Sequence, residues 1–240
     1  PFLSKQTRLT FARCGITDPV SLDDYRAHDG LKGLQNALTL SRAEIVAQVT
    51  ESGLRGRGGA GFPTGIKWKT VLDTLAPQKY IVCNADEGDS GTFADRMIME
   101  GDPFVLIEGM AIAGIAVEAT KGYIYIRSEY PHAIAVMNEA IEVARKAGVL
   151  GASVLGSSYV FDIEVRVGAG NSVFEAGVRR VTAHCAHRGA LVGDAPGDRR
   201  RRAAQVDQAA VRGDLRKHDR CRPAHRREQA AGPGAHRRGG

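Results

Sequence analysis

The sequence predicts an α/β fold: a Rossmann-like, mostly parallel sheet flanked by helices. Two long helical stretches, beginning at Asp102 and at Pro131, lie between short apolar runs and are long enough to cross from one strand to the next parallel one. Ligands of such sheets bind beyond the carboxyl ends of the strands. The segments after the first and third strands are therefore the expected site. The strands, rich in β-branched and aromatic residues, are expected at 79–84, 122–127 and 161–167.

A helical N-terminal segment, residues 1–52, is expected to precede the α/β domain, which spans residues 53–170. Ser41 and Glu44 form a capping-box pattern in front of apolar residues at helical spacing. Gly53 follows where the C-cap of this helix belongs. Shorter helices are expected at 22–28, 31–38 and 68–75.

The last part of the chain, residues 171–240, differs in composition from the rest. It carries 16 Lys+Arg against 7 Asp+Glu, whereas residues 1–170 carry 17 against 20. Such a basic, Arg-, Ala- and Gly-rich segment cannot bury enough apolar surface to offset chain entropy, so disorder is predicted. Three interpretations stay open: a basic arm for nucleic acid, a natural disordered tail, and a GC-rich gene translated out of frame. The third is favoured, because the change falls inside a motif, and no nucleic-acid partner is expected.

A glycine-rich stretch, Ser52 to Lys69, reads SGLRGRGGAGFPTGIKWK and contains six glycines flanked by basic residues. Glycine lets a ligand approach the main chain, and successive backbone N–H groups form a concave anion site. The pattern predicts a loop that wraps a nucleotide phosphate, although no Gly-Lys-Ser/Thr sequence closes it. The alternatives are an RNA-binding tract and a flexible linker. Phe62, Pro63 and Trp68 favour a packed loop.

An acidic loop, residues 85–91, follows the first predicted strand. Asp86, Glu87 and Asp89 are candidates for polar contacts with a ligand at this edge of the sheet. A solvated turn and a hard-cation site are the alternatives, but the regular Asp-x-Asp spacing of cation loops is missing, so no metal site is predicted. The carboxylates that follow are expected to be cap and surface groups: Asp95, Glu100 and Asp102.

Four stretches of the chain resemble a known family. They read SGLRGRGGAGFPTGIKWK, VCNADEGDSGTFADRMIMEGDPFVLIEGMAIAG, GYIYIRSEYP and FDIEVRVGAG. They look like the NADH-oxidising flavoprotein subunit of respiratory complex I and its relatives, among them the β (diaphorase) subunits of NAD-dependent molybdenum or tungsten formate dehydrogenases and of NAD-linked hydrogenases. The details look closest to the formate dehydrogenase β subunit. The resemblance dissolves after residue 170, where the family pattern would continue Tyr-x-Cys-Gly-Glu-Glu.

The resemblance implies that an FMN lies in the cleft and exchanges a hydride with NADH. Asp86 and Glu87 are the implied catalytic residues, which line the flavin and nicotinamide. Lys67 is implied to reach the FMN as a point charge near its phosphate, and Phe62 to stack on the dinucleotide. The implied cofactor-binding residues are Gly56, Arg57, Gly58, Gly59, Gly61, Phe62, Lys67, Asn84, Asp86, Glu87, Asp89, Gly168 and Gly170.

The same resemblance implies an NADH:acceptor oxidoreductase module of a formate dehydrogenase β subunit. The alternative is the matching subunit of complex I or of an NAD-reducing hydrogenase. The partners are then the formate dehydrogenase α and γ subunits or the peripheral-arm subunits of complex I. The family also holds a [4Fe–4S] cluster on a CxxCxxC motif and a distant cysteine, a pattern that Cys185 and Cys221 do not provide. The chain as given is expected to bind FMN poorly and to show little NADH dehydrogenase activity.

Cysteine usage and hydropathy predict a cytoplasmic location. The four cysteines are scattered and form neither a CxxC pair nor a compact disulfide framework, which favours a reducing compartment. No apolar run reaches the eighteen or so residues that would span a bilayer, and no signal peptide is visible. No contact of this chain with a membrane is expected.

Overall fold

A computed structural model describes residue 5 and residues 7–56, 61–88 and 91–168. All of them belong to one compact unit. The basic segment 171–240 and its predicted disorder lie outside the described residues. In chain order the elements are α1 (Leu22–Ala27), α2 (Lys32–Ala37), α3 (Arg42–Glu51), α4 (Thr64–Asp73), β1 (Tyr80–Ala85), α5 (Ala94–Gly101), α6 (Pro103–Val117), β2 (Lys121–Ile126), α7 (Pro131–Lys146), a 3-10 turn (Val154–Gly156) and β3 (Asp162–Val167).

The three strands form one parallel sheet in the order β1-β2-β3. At its carboxyl edge Ala85 pairs with Ile126, and Ile126 pairs with Val167, so all three strands end at the same level. Helices α6 and α7 provide the two crossover connections and pack against the sheet and each other. The predicted α/β fold class is confirmed.

Close packing between α6 and the sheet depends on glycine. A Cβ atom added to Gly114 would lie 2.5 Å from the ring of Phe161, and one added to Gly122 would lie 2.9 Å from the methyl carbon of Met110. Because neither glycine has a side chain, α6 approaches β2 and the residue that precedes β3 directly. The core formed there contains fully buried Ile124.

Helices α1 and α2 are joined to α6 by the carboxylate of Glu108. This buried group accepts hydrogen bonds from the amides of Leu31 (2.9 Å) and Leu34 (2.8 Å) and from the hydroxyl of Tyr25. Helix α2 has no capping side chain of its own, so Glu108 satisfies the free amides at its start. Burial and the hydrogen bond to Glu108 raise the pKa of Tyr25. The N-terminal helices therefore share the core of the α/β unit.

The capping box predicted for α3 is confirmed. The Ser41 hydroxyl accepts from the Glu44 amide, and the Glu44 carboxylate accepts from the Ser41 amide at 2.8 Å. Gly53 follows the helix with φ of 66°, the left-handed conformation of a C-terminal glycine.

The glycine stretch ends earlier than predicted. Helix α4 begins at Thr64 and not near Trp68, and it includes Gly65. A Cβ atom at Gly65 would lie 2.6 Å from the Cα atom of Thr50 in α3. Gly65 is thus a packing residue between two helices, and the loop proper is shorter than its composition indicates.

Helix α5 was not predicted, because its start carries no local signal. Phe93 occupies the N-cap position with φ of 52° and forms no side-chain cap. The cap is the side chain of Glu87, which lies eight positions before Asp95 in the sequence. Sequence patterns for helix starts concern only residues next to the helix.

The expectation that Asp102 is a surface group that caps α6 with its side chain is wrong. Asp102 occupies the N-cap position of α6, but its side chain forms no capping bond and is only 2% exposed. It pairs instead with Arg13, whose Nε atom lies 2.8 Å from the carboxylate. Burial raises the pKa of Asp102, and Arg13 opposes that shift. Asp95 and Glu100 are half-buried.

Candidate functional site

Glu87 lies just beyond the end of β1 and connects three parts of the chain. One carboxylate oxygen accepts from the amide of Asp95 at 2.8 Å. The other accepts from the amide of Arg96 at 3.2 Å and from the hydroxyl of Tyr130 at 3.1 Å. The carboxylate therefore caps the start of α5, a position that favours negative charge, and ties the acidic loop to the start of α7.

Arg127 directly follows β2 and holds the same loop from its other side. Its guanidinium donates to the backbone carbonyl of Glu87 at 3.0 Å and pairs with Glu129 through two contacts of 3.3 and 3.2 Å. It also lies 5.3 Å from the centre of the Tyr130 ring, and the guanidinium of Arg96 lies 5.4 Å from that centre. The hydrogen bond from Arg127 lowers the pKa of Glu129 to about 2.

Asn84 and Asp86 flank the last residue of β1. The side-chain oxygen of exposed Asn84 accepts from the amide of Asp86 at 3.2 Å. Burial raises the pKa of half-buried Asp86, while nearby Arg127 lowers it and Glu129 raises it. Within the described part of the chain, no group donates a hydrogen bond to the Asp86 carboxylate. The oxygens of Glu87, in contrast, accept from three donors.

The base of the glycine loop is a narrow antiparallel pairing. The amide of Gly56 donates to the carbonyl of Phe62 at 2.9 Å, and the amide of Thr64 donates to the carbonyl of Leu54 at the same distance. The two arms of the loop are held side by side by these bonds. The tip, residues 57–60, lies outside the described residues.

Two cationic side chains lie at this base. The guanidinium of Arg55 donates to the carbonyl of Gly61 at 3.0 Å, and Gly61 has φ of 58°, a conformation that glycine adopts without strain. The ammonium of Lys67, on the first turns of α4, lies 5.6 Å from the centre of the Phe62 ring. The structure thus brings predicted site residues Gly56, Gly61, Phe62 and Lys67 together.

Gly168 lies at the end of β3, and the structure supplies a packing reason for it. Its amide donates to the carbonyl of Ile126 at 2.7 Å, and an added Cβ atom would lie 2.8 Å from the hydroxyl of Tyr125. Its role in cofactor binding stays a prediction. The predicted site residues that lie outside the described part of the chain are Arg57, Gly58, Gly59, Asp89 and Gly170.

Two clusters of predicted site residues are therefore formed. One is the base of the glycine loop. The other is the carboxyl edge of the sheet, where Asn84, Asp86 and Glu87 lie at the end of β1 and Gly168 lies at the end of β3, with β2 between them. The convergence of both clusters on a single ligand stays a prediction, because the loop tip is not described.

Arg96, Arg127 and Tyr130 were missed by the sequence analysis. Arg127 could have been found, since it is the last residue of a predicted strand, at the edge where ligands of parallel sheets bind. Tyr130 precedes the Pro131 that marks the start of α7. Arg96 had no signal, because its part in the cluster depends on a helix that the sequence did not predict.

The opposite edge of the sheet has a cavity of about 260 Å³. It lies beside the amino ends of β2 and β3, between Thr120 and Val160, and so does not coincide with the predicted site. Within the described ranges, no three His, Cys, Asp or Glu side chains are grouped so that they could hold a metal ion. No helix in the same ranges has the length and apolar character needed to cross a membrane.

Residues 49–187 match the family described as the Nuo51 FMN-binding domain. This match covers the glycine loop, the whole sheet and the acidic loop. The chain belongs to this family.

Two relatives are similar to about two thirds of this chain. The NADP-reducing hydrogenase subunit HndC of Solidesulfovibrio fructosivorans is 55% identical over 166 residues, which are 69% of this chain and 34% of that protein. An NADH-quinone oxidoreductase subunit of Aquifex aeolicus is 49% identical over 150 residues, or 62% of this chain and 35% of the relative. The chain thus spans about a third of the length of these relatives.

A solved structure is similar to this chain in its fold. The crystal structure of NAD+-reducing [NiFe]-hydrogenase in the air-oxidized state aligns with a TM-score of 0.51 and 28% identity. The alignment covers 69% of this chain and 25% of the hydrogenase chain.

Proposed function

We propose that this chain is the FMN- and NADH-binding module of an NADH:acceptor oxidoreductase. The observation that carries the proposal is the match to the Nuo51 FMN-binding family over the stretch that contains both clusters. One cluster is the glycine-loop base with Lys67, and the other is the strand edge with Asn84 and Asp86. Parallel sheets bind nucleotides at this edge.

The residues present fit FMN by their chemistry. A phosphate needs backbone N–H groups and a cation, which the glycine loop and Lys67 supply. An isoalloxazine ring needs hydrogen-bonding groups at its polar edge, and the exposed amide of Asn84 and the uncommitted carboxylate of Asp86 are such groups. Phe62 supplies an aromatic face for stacking.

The chemistry that FMN would supply when bound is hydride exchange with NADH. The residues of this chain bind and orient the two rings. Asn84 and Asp86 would hold the flavin by hydrogen bonds, and Phe62 would stack on the dinucleotide. Such contacts would keep the reacting atoms within reach of each other. Backbone hydrogen bonds from Gly56 to Phe62 and from Thr64 to Leu54 already close the base of the glycine loop, so this base needs no ordering when a phosphate binds.

The phosphate contact is tested by comparing FMN with riboflavin, which lacks the phosphate. Fluorescence quenching on the 240-residue chain should show weak FMN binding, about tenfold tighter than that of riboflavin, because the loop and Lys67 contribute a charge-assisted contact. Lys67→Gln should remove this preference. Lys69→Gln is the matched control, because Lys69 is well exposed and pairs with Asp73. Equal binding of both flavins, or equal effects of both variants, would rule out the phosphate site.

The finer proposal is that the module belongs to an NAD-dependent formate dehydrogenase as its β subunit. Its support is the resemblance of the opening residues and of the stretch 86–109. The hydrogenase alternative is favoured by a specific observation, the 55% identity to the HndC protein. A cytoplasmic location and the partner subunits of such a complex are part of the same proposal.

The two assignments are separated by the electron donor of the native complex. A complex purified through a tag on this chain should reduce NAD+ with formate if the formate dehydrogenase assignment is right. Reduction with H2 and not with formate would replace it by the hydrogenase assignment. Activity with neither, together with NADH-dependent quinone reduction, would favour complex I.

A further inference from the structure

We propose that Arg127 and Tyr130 are positioning residues that hold residues 86–88 of the acidic loop in their ligand-binding conformation. They act through Glu87, which serves as the anchor of the loop. This inference rests on the proposed function, since the ligand that the loop is positioned for is the flavin.

The first argument is the backbone of the loop. Glu87 has φ of 45°, a left-handed conformation that residues other than glycine adopt rarely. Such a conformation persists only where surrounding contacts enforce it. Here the backbone carbonyl of Glu87 accepts from Arg127 at 3.0 Å, and the carboxylate accepts from the Tyr130 hydroxyl at 3.1 Å. Both bonds come from the β2–α7 turn.

The second argument is that the donors are themselves held. Glu129 binds the guanidinium of Arg127 through two nitrogens, which fixes its plane. The Tyr130 ring is only 7% exposed and is contacted by the guanidiniums of Arg96 and Arg127. Both donors are thus preorganised before any ligand binds.

The third argument concerns the position of the Asp86 carboxylate relative to Glu87. Because the Glu87 carboxylate is engaged with α5 and Tyr130, the loop presents Asp86 and exposed Gly88 on either side of it. The Asp86 carboxylate has no donor among the described residues. A shift of the anchor would therefore move the carboxylate that remains available to a ligand.

The test uses Tyr130→Phe, which removes one hydroxyl and keeps the ring, with Tyr159→Phe as the matched control. Hydrogen exchange should report the anchor directly, because the amides of Asp95 and Arg96 are bonded to Glu87. We expect Tyr130→Phe to speed exchange at these two amides and to weaken FMN and riboflavin binding alike by about tenfold. Tyr159→Phe should change neither.

Arg127 is tested by a pair of substitutions. Arg127→Gln should weaken flavin binding at least as much as Tyr130→Phe. Arg127→Lys should restore part of the affinity, because lysine keeps a long, charged donor for the Glu87 carbonyl, whereas glutamine offers only a shorter, neutral amide. If Arg127→Gln fails to fold, Tyr130→Phe carries the test alone.

The outcomes separate this inference from the proposed function. Faster exchange with unchanged flavin affinity would show a merely structural contact and overturn the positioning role. Unchanged exchange would overturn the anchor itself. If the wild-type chain binds neither flavin, the proposed function fails, while the exchange measurement still decides whether Tyr130 holds the loop.

Discussion

At the scale of single residues, buried carboxylates act as cross-links between distant segments. Asp102 is 2% exposed and forms an ion pair with Arg13 of the N-terminal segment. The guanidinium of Arg13 also lies 4.7 Å from the centre of the Tyr25 ring. Burying a carboxylate is costly unless a cation or hydrogen-bond donors accompany it. Arg13 is therefore expected to matter far more than an exposed ion-pair partner.

Replacing Arg13 by Ala should lower the free energy of unfolding at pH 7 by about 2–3 kcal/mol, since the Asp102 charge is left buried without its partner. Arg26→Ala is the control, because its pair with Asp23 is exposed, and it should cost about 0.5 kcal/mol or less. Urea denaturation measures both. Equal losses would mean that burial of the pair is unimportant.

The same variant should show a pH dependence of defined sign. Burial raises the pKa of Asp102, and Arg13 lowers it, so removal of Arg13 raises this pKa further above the unfolded value. A carboxyl with a raised folded pKa stabilises the fold at low pH and loses that contribution as pH rises. The deficit of Arg13→Ala should thus be smaller at pH 4 than at pH 7, and a deficit that grows on acidification would contradict this account.

At the scale of secondary-structure elements, one helix contains glycines of two kinds. Gly114 of α6 faces Phe161 at a distance that leaves no room for a Cβ atom, whereas an added Cβ atom at Gly109 would meet nothing within 4 Å. Position along the helix does not distinguish them, because both lie in its interior. The two glycines are distinguished only by the packing of α6 against the sheet.

The two glycines should respond to alanine in opposite directions. Gly114→Ala should destabilise the protein by about 2 kcal/mol through overpacking against Phe161. Gly109→Ala should stabilise it by about 0.5–1 kcal/mol, because alanine has the higher helix propensity and restricts the unfolded chain. Thermal and urea unfolding of the pair checks this. A shared sign would show that α6 is not held against the sheet as described.

At the scale of the whole described unit, the N-terminal helices and the α/β part share one core. Glu108 of α6 binds the start of α2 and the hydroxyl of Tyr25 in α1. The predicted boundary between an N-terminal segment, residues 1–52, and the α/β domain stays a prediction. The contacts of Glu108 lead us to expect that both parts unfold together.

Glu108→Gln should reduce stability by about 2–4 kcal/mol, because an amide nitrogen placed against backbone donors leaves buried polar groups unpaired. Glu139→Gln, at an exposed position of α7, should have little effect. Fluorescence of Trp68 and far-ultraviolet circular dichroism should give coincident transitions for both variants. Separate transitions would show two independently folding parts.

Much of the fold could be predicted because its signals are local. The three strands are β-branched runs, α3 carries its own capping box, and α6 and α7 begin with proline. Helix α5 could not be predicted, since its cap is the side chain of Glu87. The burial of Asp102 was equally invisible, because its partner Arg13 lies 89 positions away.

The candidate site divides in the same way. By itself, the sequence determined which segments are rich in glycine and in acidic residues, and it determined the family, because both properties reside in contiguous letters. Only the tertiary structure decided that the Glu87 carboxylate caps α5 and that Arg127 and Tyr130 donate hydrogen bonds to Glu87. It also decided that none of the described residues donates to the Asp86 carboxylate. The physical reason is that these roles depend on hydrogen bonds between chain segments about 40 residues apart, which parallel strand pairing brings to one edge of the sheet.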